Sequence, residues 1–123
     1  MKITTKADAL TGEPMDSTNF NGPVTSHPLH TPSEAHLVRV GVVHFPAGTR
    51  NHWHRHNGGQ VLHVVDGEGY VQSRGEEKRR IGAGDTVSAQ PGEEHWHGAG
   101  PDSPMSHIAV SIGETTWLEP SEF

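Results

Sequence analysis

The sequence predicts an all-β protein of a single domain, built as a small antiparallel barrel or sandwich. Its 123 residues are enough for one modest hydrophobic core and too few for two. Only 31% of the residues are apolar, and 15 glycines and 9 prolines indicate many turns. The apolar runs are short and rich in β-branched residues, and no window of convincing length shows helical amphipathicity. We therefore expect about eight short strands separated by frequent turns.

Charge and composition exclude several classes of partner and site. The net charge of −6 argues against a nucleic-acid binder, because such a protein presents a basic face. The basic cluster in residues 74–80 is interrupted by Glu76 and Glu77, and we expect a solvated hairpin there. The sequence has no cysteine, which excludes disulfides, thiolate zinc sites and thiol nucleophiles.

No segment of the sequence predicts membrane insertion. Residues 1–14 lack the apolar stretch of a signal peptide. The most apolar run, from Leu37 to Phe45, contains an arginine and a histidine and is far shorter than a membrane span. We therefore expect a soluble cytoplasmic protein with no membrane partner and no nucleic-acid partner.

Three regions are predicted along the chain. Residues 1–35 form an N-terminal extension that is polar and rich in turns, with room for one edge strand near Val24. His27 and His30 lie in this extension, and we assign both to the surface because no predicted strand orients them. Residues 36–115 form the barrel, and residues 116–123 form a C-terminal tail.

The barrel region divides into strands at its glycines, prolines and aspartates. Asp66–Gly67 predicts a hairpin turn between two strands, and residues 74–80 predict another. Side chains alternate along a strand, so we expect Gln60, Leu62 and Val64 to share one face. The predicted strands are 36–45, 52–56, 60–65, 69–73, 86–89, 95–98 and 105–112.

Residues 48–67 contain the strongest chemical signal. His54 and His56 are one residue apart, so they lie on the same side of an extended strand. Imidazoles held that close together can occupy neighbouring positions on one metal ion, and histidine is the commonest protein ligand for transition metals. Gly48 and Gly67 lie where the strands must turn.

These residues resemble the first motif of the cupin superfamily. That motif is a glycine, five residues, His-x-His, three or four residues, a glutamate, six residues and a glycine. Residues 48–67 match every spacing, with Gln60 in place of the glutamate. With the second motif included, the resemblance covers roughly residues 40–112.

The second cupin motif lies downstream in the expected order. It is a glycine, five residues, Pro-x-Gly, two residues, a histidine, three residues and an asparagine. Gly84, Gly92 and His95 match it. Gln90 stands at the proline position, and Ala99 replaces the asparagine.

The resemblance implies a double-stranded β-helix, or jelly-roll, barrel that binds one divalent metal. The implied ligands are His54, His56, Gln60 and His95. We place Gln60 at the start of a strand beside the His-x-His strand, so that its amide oxygen reaches the same ion. The alternative is that each histidine is an ordinary hydrogen-bonded residue, which requires four coincidences of spacing. Manganese is the favoured metal, and iron, nickel, zinc or copper would also fit.

Gln60 determines the charge of the predicted site. Three imidazoles and one amide are neutral, so a bound divalent ion would keep its full charge, whereas a glutamate would cancel one unit of it. The neutral set predicts a stronger Lewis acid that polarises a carbonyl or hydroxyl oxygen. This favours lyase chemistry without excluding redox chemistry.

Two further histidines are candidate catalytic residues. His97 shares the parity of His95, so it can face the interior near the metal. His107 lies in a strand whose neighbouring apolar side chains are expected to pack on the opposite face. An interior histidine that is not a ligand is a natural general base, because its unperturbed pKa lies near neutrality. The alternatives are a hydrogen bond to a ligand or burial in a subunit contact.

A narrower resemblance concerns function. Gln60, with residues 94–98 and 105–107, is similar to the small manganese-dependent cupins that act as hydroxynitrile lyases. The likeness implies an aldehyde or cyanohydrin substrate, whose oxygen the metal would hold while His107 moves the proton. Three residues are expected to shape the pocket: Gly41, Val43 and Ser111.

Two other functions remain open at this point. A metal-dependent cupin oxygenase would activate dioxygen at the same site. A non-catalytic cupin that binds a small molecule is the other, and we rank it last because a sensing role usually needs an attached DNA-binding domain.

The resemblance also implies a homo-oligomer, either a homodimer or a homotetramer. We expect the N-terminal extension, with Phe20 and Val24, to add a strand to a neighbouring copy. Trp117 and Leu118 of the tail are expected to pack in a similar way.

Overall fold

A computed structural model describes residues 1–34 and 37–123 of the chain. In that part the regular structure is ten β-strands, one short α-helix and one 3₁₀ turn, so the all-β prediction is confirmed. The elements are α1 (Lys6–Leu10), β1 (Glu13–Pro14), the 3₁₀ turn (Ser17–Asn19), β2 (Thr25–His30), β3 (Val38–Phe45), β4 (His54–His56), β5 (Gln60–Ser73), β6 (Arg79–Gly82), β7 (Thr86–Ala89), β8 (His95–Ala99), β9 (Met105–Ile112) and β10 (Thr115–Trp117). Neither helical segment of the described chain is long and apolar enough to cross a membrane.

The long strand β5 joins the two halves of a curled antiparallel sheet. The strand order is β1-β2-β3-β9-β5-β8-β4-β10, and β6 and β7 also pair with β5. The first half of β5 pairs with β7 and β9, and its second half pairs with β6 and β8. Because one strand serves both halves, the sheet curls around a common interior.

The interior face of the sheet follows the predicted alternation. Gln60, Leu62 and Val64 are buried at 5%, 1% and 0% exposure, whereas Val65 is 46% exposed. Each fully buried aliphatic side chain contributes about 2 kcal/mol to the free energy of folding. The core residues come from several strands and from the N-terminal segment: Phe20, Val24, Val43, Phe45, Leu62, Val64, Val71, Ile81, Ala99, Met105 and Ala109.

The hairpin predicted at Asp66–Gly67 is wrong, because β5 runs through both residues without reversing. The pairing with β9 instead shifts register between Val64 and Asp66, which forms a β-bulge. Gly67 has a φ of 74°, a left-handed conformation that favours glycine, and a Cβ there would overlap the carbonyl oxygen of Pro104. The glycine therefore marks a bulge and a close backbone approach.

The N-terminal extension contributes more strand than the sequence predicts. β2 is six residues long and pairs with β3 through five of them, and its register shifts just after Pro28, which cannot donate to the ladder. Phe20 and Val24, which we expected to reach a neighbouring copy, are buried in the core of their own chain. The strand predicted from residue 36 begins at Val38, and His36 lies outside the described residues.

The predicted C-terminal tail also contributes a strand. β10 pairs with β4, so that Thr115 lies opposite His56 and Trp117 lies opposite His54. The Trp117 ring packs on Phe20, with 5.9 Å between the ring centroids. The tail thus covers the interior next to two predicted metal ligands.

Candidate metal centre and cavity

His54 of β4 and His95 of β8 lie directly opposite each other in an antiparallel pair. Their ring centroids are 4.4 Å apart, and both side chains are almost fully buried. The alternation of β4 also turns His56 towards the interior, where it is buried. The sheet therefore brings together three predicted ligands from two strands.

The strand backbone orients the first two imidazoles. Nδ1 of His54 lies 2.8 Å from the carbonyl oxygen of His52, and Nδ1 of His95 lies 2.8 Å from that of Glu93. A carbonyl oxygen can only accept, so Nδ1 carries the hydrogen in both rings and donates it. Nε2 of each ring keeps a lone pair, which is the form that binds a metal ion.

His56 presents a third nitrogen. Its ring centroid lies 5.2 Å from that of His54 and 5.8 Å from that of His95. Its Nδ1 is 2.9 Å from the hydroxyl of Thr115. Its Nε2 is buried and has no hydrogen-bond partner within the described chain. A buried nitrogen without a partner is costly, and a metal ion would satisfy it.

Gln60 reaches these histidines by a different route from the predicted one. β4 pairs with β8 and β10 rather than with β5, so the placement of Gln60 in a strand beside β4 is wrong. Its Oε1 nevertheless lies 2.9 Å from Nε2 of His95, and its Nε2 donates to the Ser111 hydroxyl at 2.9 Å. With Nδ1 of His95 donating to the backbone, Nε2 and Oε1 are two acceptors that face each other. A cation satisfies both, so this donor set fits a divalent metal.

Burial keeps these imidazoles neutral, as metal binding requires. It is the largest cause that lowers the pKa of His54 well below the ordinary value of 6.5, and the neighbouring His95 adds to the effect. Burial, then His95 and then the Arg39 guanidinium lower the pKa of His56 to about 4. The lone pairs of both rings are therefore free at neutral pH.

His97 offers a second arrangement of three nitrogens. One ring nitrogen from each of His54, His95 and His97 lies within 4.8 Å of the others. The predicted ligand set instead combines His54 and His95 with His56 and Gln60. That set stays a prediction, which substitutions at His56 and His97 can test.

A cavity of about 440 Å³ opens beside this cluster, within the size range of small-molecule sites. The three residues expected to shape the pocket, Gly41, Val43 and Ser111, all line it. The buried polar residues on its wall are Asn51, His54, His56, Gln60, His97 and His107.

Comparison with known proteins decides the family. A model of the cupin domain matches residues 41–111, which is more than half of the chain. The chain belongs to the cupin family. The jelly-roll barrel implied by the two sequence motifs is confirmed with it.

This cupin is similar to proteins of more than one activity. An (R)-mandelonitrile lyase from Granulicella tundricola is 42% identical over 91 residues, which cover 74% of this chain and 70% of the relative. A solved cupin-like protein from Thermotoga maritima is 38% identical, with a TM-score of 0.84 over 89% of this chain and 86% of that one. An acetylacetone dioxygenase from Acinetobacter johnsonii has a TM-score of 0.72 over 97% of this chain and 76% of that one. Its identity of 17% shows the fold alone.

The candidate catalytic residues of this cupin, His97 and His107, form a buried pair. Nε2 of His107 lies 3.0 Å from Nδ1 of His97, so the two nitrogens share one hydrogen. The backbone N–H of His97 donates to Oδ1 of Asn51 at 2.9 Å, and Nδ1 of His107 is buried with no hydrogen-bond partner among the described residues. Burial is the largest cause that lowers the pKa of His107 to about 4, and it lowers the pKa of His97 well below the ordinary value. Both rings are thus neutral at pH 7.

Four side chains of the cupin site have no signal in the motifs. Asn51 supports the histidine pair, Thr115 contacts the second predicted ligand, and Trp117 packs on the first with 4.7 Å between ring centroids. Arg39 lines the cavity and donates to Thr115 at 2.9 Å. Thr115 lies at the end of the predicted barrel and has no signal in the sequence. Trp117, which we expected to contact a neighbouring copy, packs within its own chain.

The remaining histidines of this cupin have other surroundings. Nε2 of His44 lies 2.9 Å from the carbonyl oxygen of Ala9 and links β3 to helix α1. His63 is exposed on the outer face of β5. Of the two histidines that we assigned to the surface, His27 is partly buried and His30 is exposed, and both also line the cavity.

Proposed function

We propose that this cupin is a metal-dependent lyase that cleaves or forms cyanohydrins, of the hydroxynitrile lyase type. The observation that carries the proposal is that two neutral groups meet at one cavity. Three members of the donor set line it, as does the His97–His107 pair, and His95 completes the donor set from strand β8, opposite His54. The 42% identity to an (R)-mandelonitrile lyase supports the same reaction class. The donor set consists of His54, His56, Gln60 and His95.

A divalent metal held by this donor set would supply positive charge that polarises the oxygen of an aldehyde or cyanohydrin. All four donors are neutral, so none of them cancels that charge, and Gln60 is the position at which the family motif has an acid. We favour manganese, and iron, nickel, zinc or copper would accept the same nitrogen and amide-oxygen ligands.

The histidine pair would move the proton. In the cleavage direction a base takes the hydroxyl proton, the bond between carbon and cyanide breaks, and the cyanide takes up a proton to leave as HCN. We assign the transfer to Nδ1 of His107, the buried nitrogen without a partner in the described chain. Because burial lowers the pKa of His107 to about 4, the ring is neutral at pH 7 and able to accept a proton.

An aromatic wall would hold the body of the substrate beside the pair. The Phe45 ring lies 5.9 Å from His97 and 5.3 Å from His107, measured between ring centroids. Trp117 also lines the cavity, at the base of the tail strand. Apolar surface of this kind suits an aryl or alkyl aldehyde and limits the access of water.

The test is the formation of mandelonitrile from benzaldehyde and cyanide, with chiral chromatography of the product. Protein stripped by a chelator is compared with protein reloaded with manganese. We expect activity only in the reloaded protein, and a loss of about 100-fold or more in His107→Ala. His63→Ala, outside the cavity, is the matched control and should keep full activity. Full activity in the metal-free protein would contradict the proposal.

A metal-dependent cupin oxygenase is the second candidate. The cluster of His54, His95 and His97 favours it, because three imidazole ligands leave open positions for dioxygen and substrate. Oxygen uptake with phenols or diketones separates the two, since the lyase consumes none. Metal-dependent ligand binding with neither reaction would leave a non-catalytic small-molecule-binding cupin.

We further propose that the protein is a cytoplasmic homodimer or homotetramer that acts on a small molecule, with no nucleic-acid or membrane partner. Three large apolar side chains on the described surface support self-association: Leu37, Val38 and Val65 are 43%, 38% and 46% exposed. Sedimentation of the metal-loaded protein tests this, and a monomer at micromolar concentration would contradict it.

A further inference from the structure

Arg39 is the single arginine or lysine among the described residues that line the cavity. It lies in β3 opposite Ser111 of β9, which lies opposite Gln60 of β5. All three side chains line the cavity, so they form one polar row across the sheet. The row that contains Val43 and His107 lies about 13 Å further along β3. The guanidinium of Arg39 and the candidate base His107 thus lie in different rows of the same cavity wall.

The guanidinium of Arg39 is oriented but not neutralised. Its Nη2 donates to the Thr115 hydroxyl at 2.9 Å, and that hydroxyl lies 2.9 Å from Nδ1 of His56. A guanidinium has five N–H donors, so most of them remain available to a ligand. Arg39 takes part in none of the ion pairs of the described chain. The contact through Thr115 holds the charge beside the predicted metal ligands.

The single carboxylate among the described lining residues is engaged elsewhere. Asp16 caps the 3₁₀ turn, where its Oδ1 accepts from the backbone N–H of Thr18 at 2.9 Å and from the Thr18 hydroxyl at 2.6 Å. The four predicted metal ligands are uncharged. Arg39 is an exposed residue of the cavity wall that forms no ion pair with Asp16 or with another acidic side chain of the described chain, so its guanidinium is available to pair with an anionic ligand.

The wall between Arg39 and His107 suits a small apolar group. Gly41 is the next cavity-lining position of this face of β3, and it lies opposite Ala109. Glycine and alanine together leave this level open. A benzene ring or a short aliphatic chain placed there would have Arg39 at one end and the histidine pair at the other.

We propose that Arg39 binds a carboxylate in this cavity, and that the preferred substrates are aldehydes or cyanohydrins whose apolar body carries one. A planar guanidinium pairs with a carboxylate through two parallel hydrogen bonds, which gives both affinity and orientation. That the substrate is an aldehyde or a cyanohydrin rests on the proposed function, whereas the carboxylate that it carries is inferred from Arg39 alone.

Calorimetric titration of the metal-loaded protein with benzoate and with benzamide tests the carboxylate site without any turnover. We expect benzoate to bind at least about tenfold more tightly than benzamide. Arg39→Gln should remove this preference while leaving the benzamide affinity unchanged. Arg39→Lys keeps the charge but loses the planar fork, so it should keep only part of the preference. Arg80→Gln makes the same change at an exposed arginine outside the cavity and should bind like the wild type.

Two outcomes would overturn the inference. The first is equal or undetectable binding of benzoate and benzamide by the wild type. The second is a benzoate preference that survives in Arg39→Gln, because the carboxylate would then bind elsewhere. In that case the chelator-stripped protein is titrated as well. If removal of the metal abolishes the preference for benzoate, the carboxylate binds to the metal. Thermal unfolding of Arg39→Gln confirms that the variant is folded.

A kinetic experiment tests this inference separately from the proposed function. The kcat/KM values for cyanide addition are measured with 4-formylbenzoate and 4-formylbenzamide. We expect an advantage of about tenfold for the carboxylate, lost in Arg39→Gln. Turnover of both aldehydes with equal efficiency contradicts the Arg39 assignment and leaves the lyase proposal standing. If neither aldehyde is turned over while the benzoate preference still depends on Arg39, the lyase proposal is contradicted and the Arg39 assignment stands.

Discussion

The amide oxygen of Gln60 lies 2.9 Å from Nε2 of His95, a ring whose Nδ1 already donates its hydrogen to the backbone. Ser111 accepts a hydrogen bond from the amide nitrogen at 2.9 Å and so holds the oxygen towards the histidine. The result is a pair of neutral acceptors facing each other in a buried site. Because both acceptors are neutral, they affect the charge of the site, its affinity for a metal ion and the reaction that it can catalyse.

Gln60→Glu should bind divalent metals more tightly and catalyse more slowly. The added carboxylate cancels one unit of the charge of the ion, which strengthens binding but weakens polarisation of the substrate oxygen. We expect kcat for mandelonitrile cleavage to fall about tenfold or more, while competition with a chromophoric chelator shows a lower Kd for manganese. Gln90→Glu makes the same change on the exposed surface and should alter neither value. Tighter binding with unchanged kcat would contradict the charge argument.

Substitution of His56 and His97 distinguishes the two possible ligand sets. If the predicted set is correct, His56→Ala loses a ligand and most of its bound metal. His97→Ala should keep its metal but lose activity, because it removes the partner of His107 and not a ligand. Elemental analysis after dialysis against manganese measures the difference. Retention of metal by His56→Ala together with its loss from His97→Ala would reverse the assignment.

Ser111→Ala should weaken metal binding although Ser111 is not a predicted ligand. Without the hydroxyl, the Gln60 amide is free to turn its nitrogen towards His95, and the loss of such a supporting contact typically costs 10- to 100-fold in metal affinity, so we expect about tenfold. The Kd for manganese, measured by electron paramagnetic resonance of the free ion, reports the change. Ser111→Thr retains a hydroxyl and is the control. Equal affinity in the alanine and threonine variants counts against this role for Ser111.

Stability should fall as the pH drops below 6.5. An unfolded histidine takes up a proton near its ordinary pKa of 6.5, whereas burial lowers the pKa of His107 in the folded protein to about 4. Its contribution is complete above pH 6.5 and is lost as the pH falls towards 4, by about 3 kcal/mol. Urea unfolding of chelator-treated protein between neutral pH and about pH 4.5 measures the slope. The other buried histidines of the site also have lowered pKa values and contribute to the slope, so His107→Gln should make it shallower without removing it. An equal slope in both proteins would contradict the assignment.

Gly67→Ala should destabilise the fold far more than Gly75→Ala. Both glycines have positive φ values, 74° and 84°, so each substitution costs about 1 kcal/mol in backbone strain. A methyl group at Gly67 would also overlap the carbonyl oxygen of Pro104, whereas the space around Gly75 is open. We expect a loss of at least about 3 kcal/mol for Gly67→Ala, measured by urea unfolding. Similar losses in the two variants would mean that the bulge adjusts.

The strands with clear alternation and turn residues at both ends could be predicted from the sequence. The strands β7 and β9 have the predicted bounds, because Thr86–Ala89 and Met105–Ile112 are β-branched runs between glycines and prolines. The bulge at Gly67 could not be predicted, because Asp-Gly has the same local preference in a turn and in a bulge. Only the distant Pro104 backbone decides between them.

The predicted ligands could be named because their spacing places them on strand faces, and spacing is a local property. Their support could not be predicted, because it depends on pairing between distant segments. Thr115 reaches His56 through the pairing of β10 with β4, and Ser111 reaches Gln60 through that of β9 with β5. The spacing of residues along the sequence does not predict these contacts.

The hydrogen bonds from His54 and His95 to the carbonyls two residues before them have an evolutionary consequence. Because those acceptors are main-chain atoms, no side-chain replacement on the cavity wall removes them. The tautomer of each ring is therefore kept with the strand, while wall residues such as Arg39 and Gly41 can change without altering it. Selection can then replace one substrate with another, one wall residue at a time, without rebuilding the metal-binding histidines.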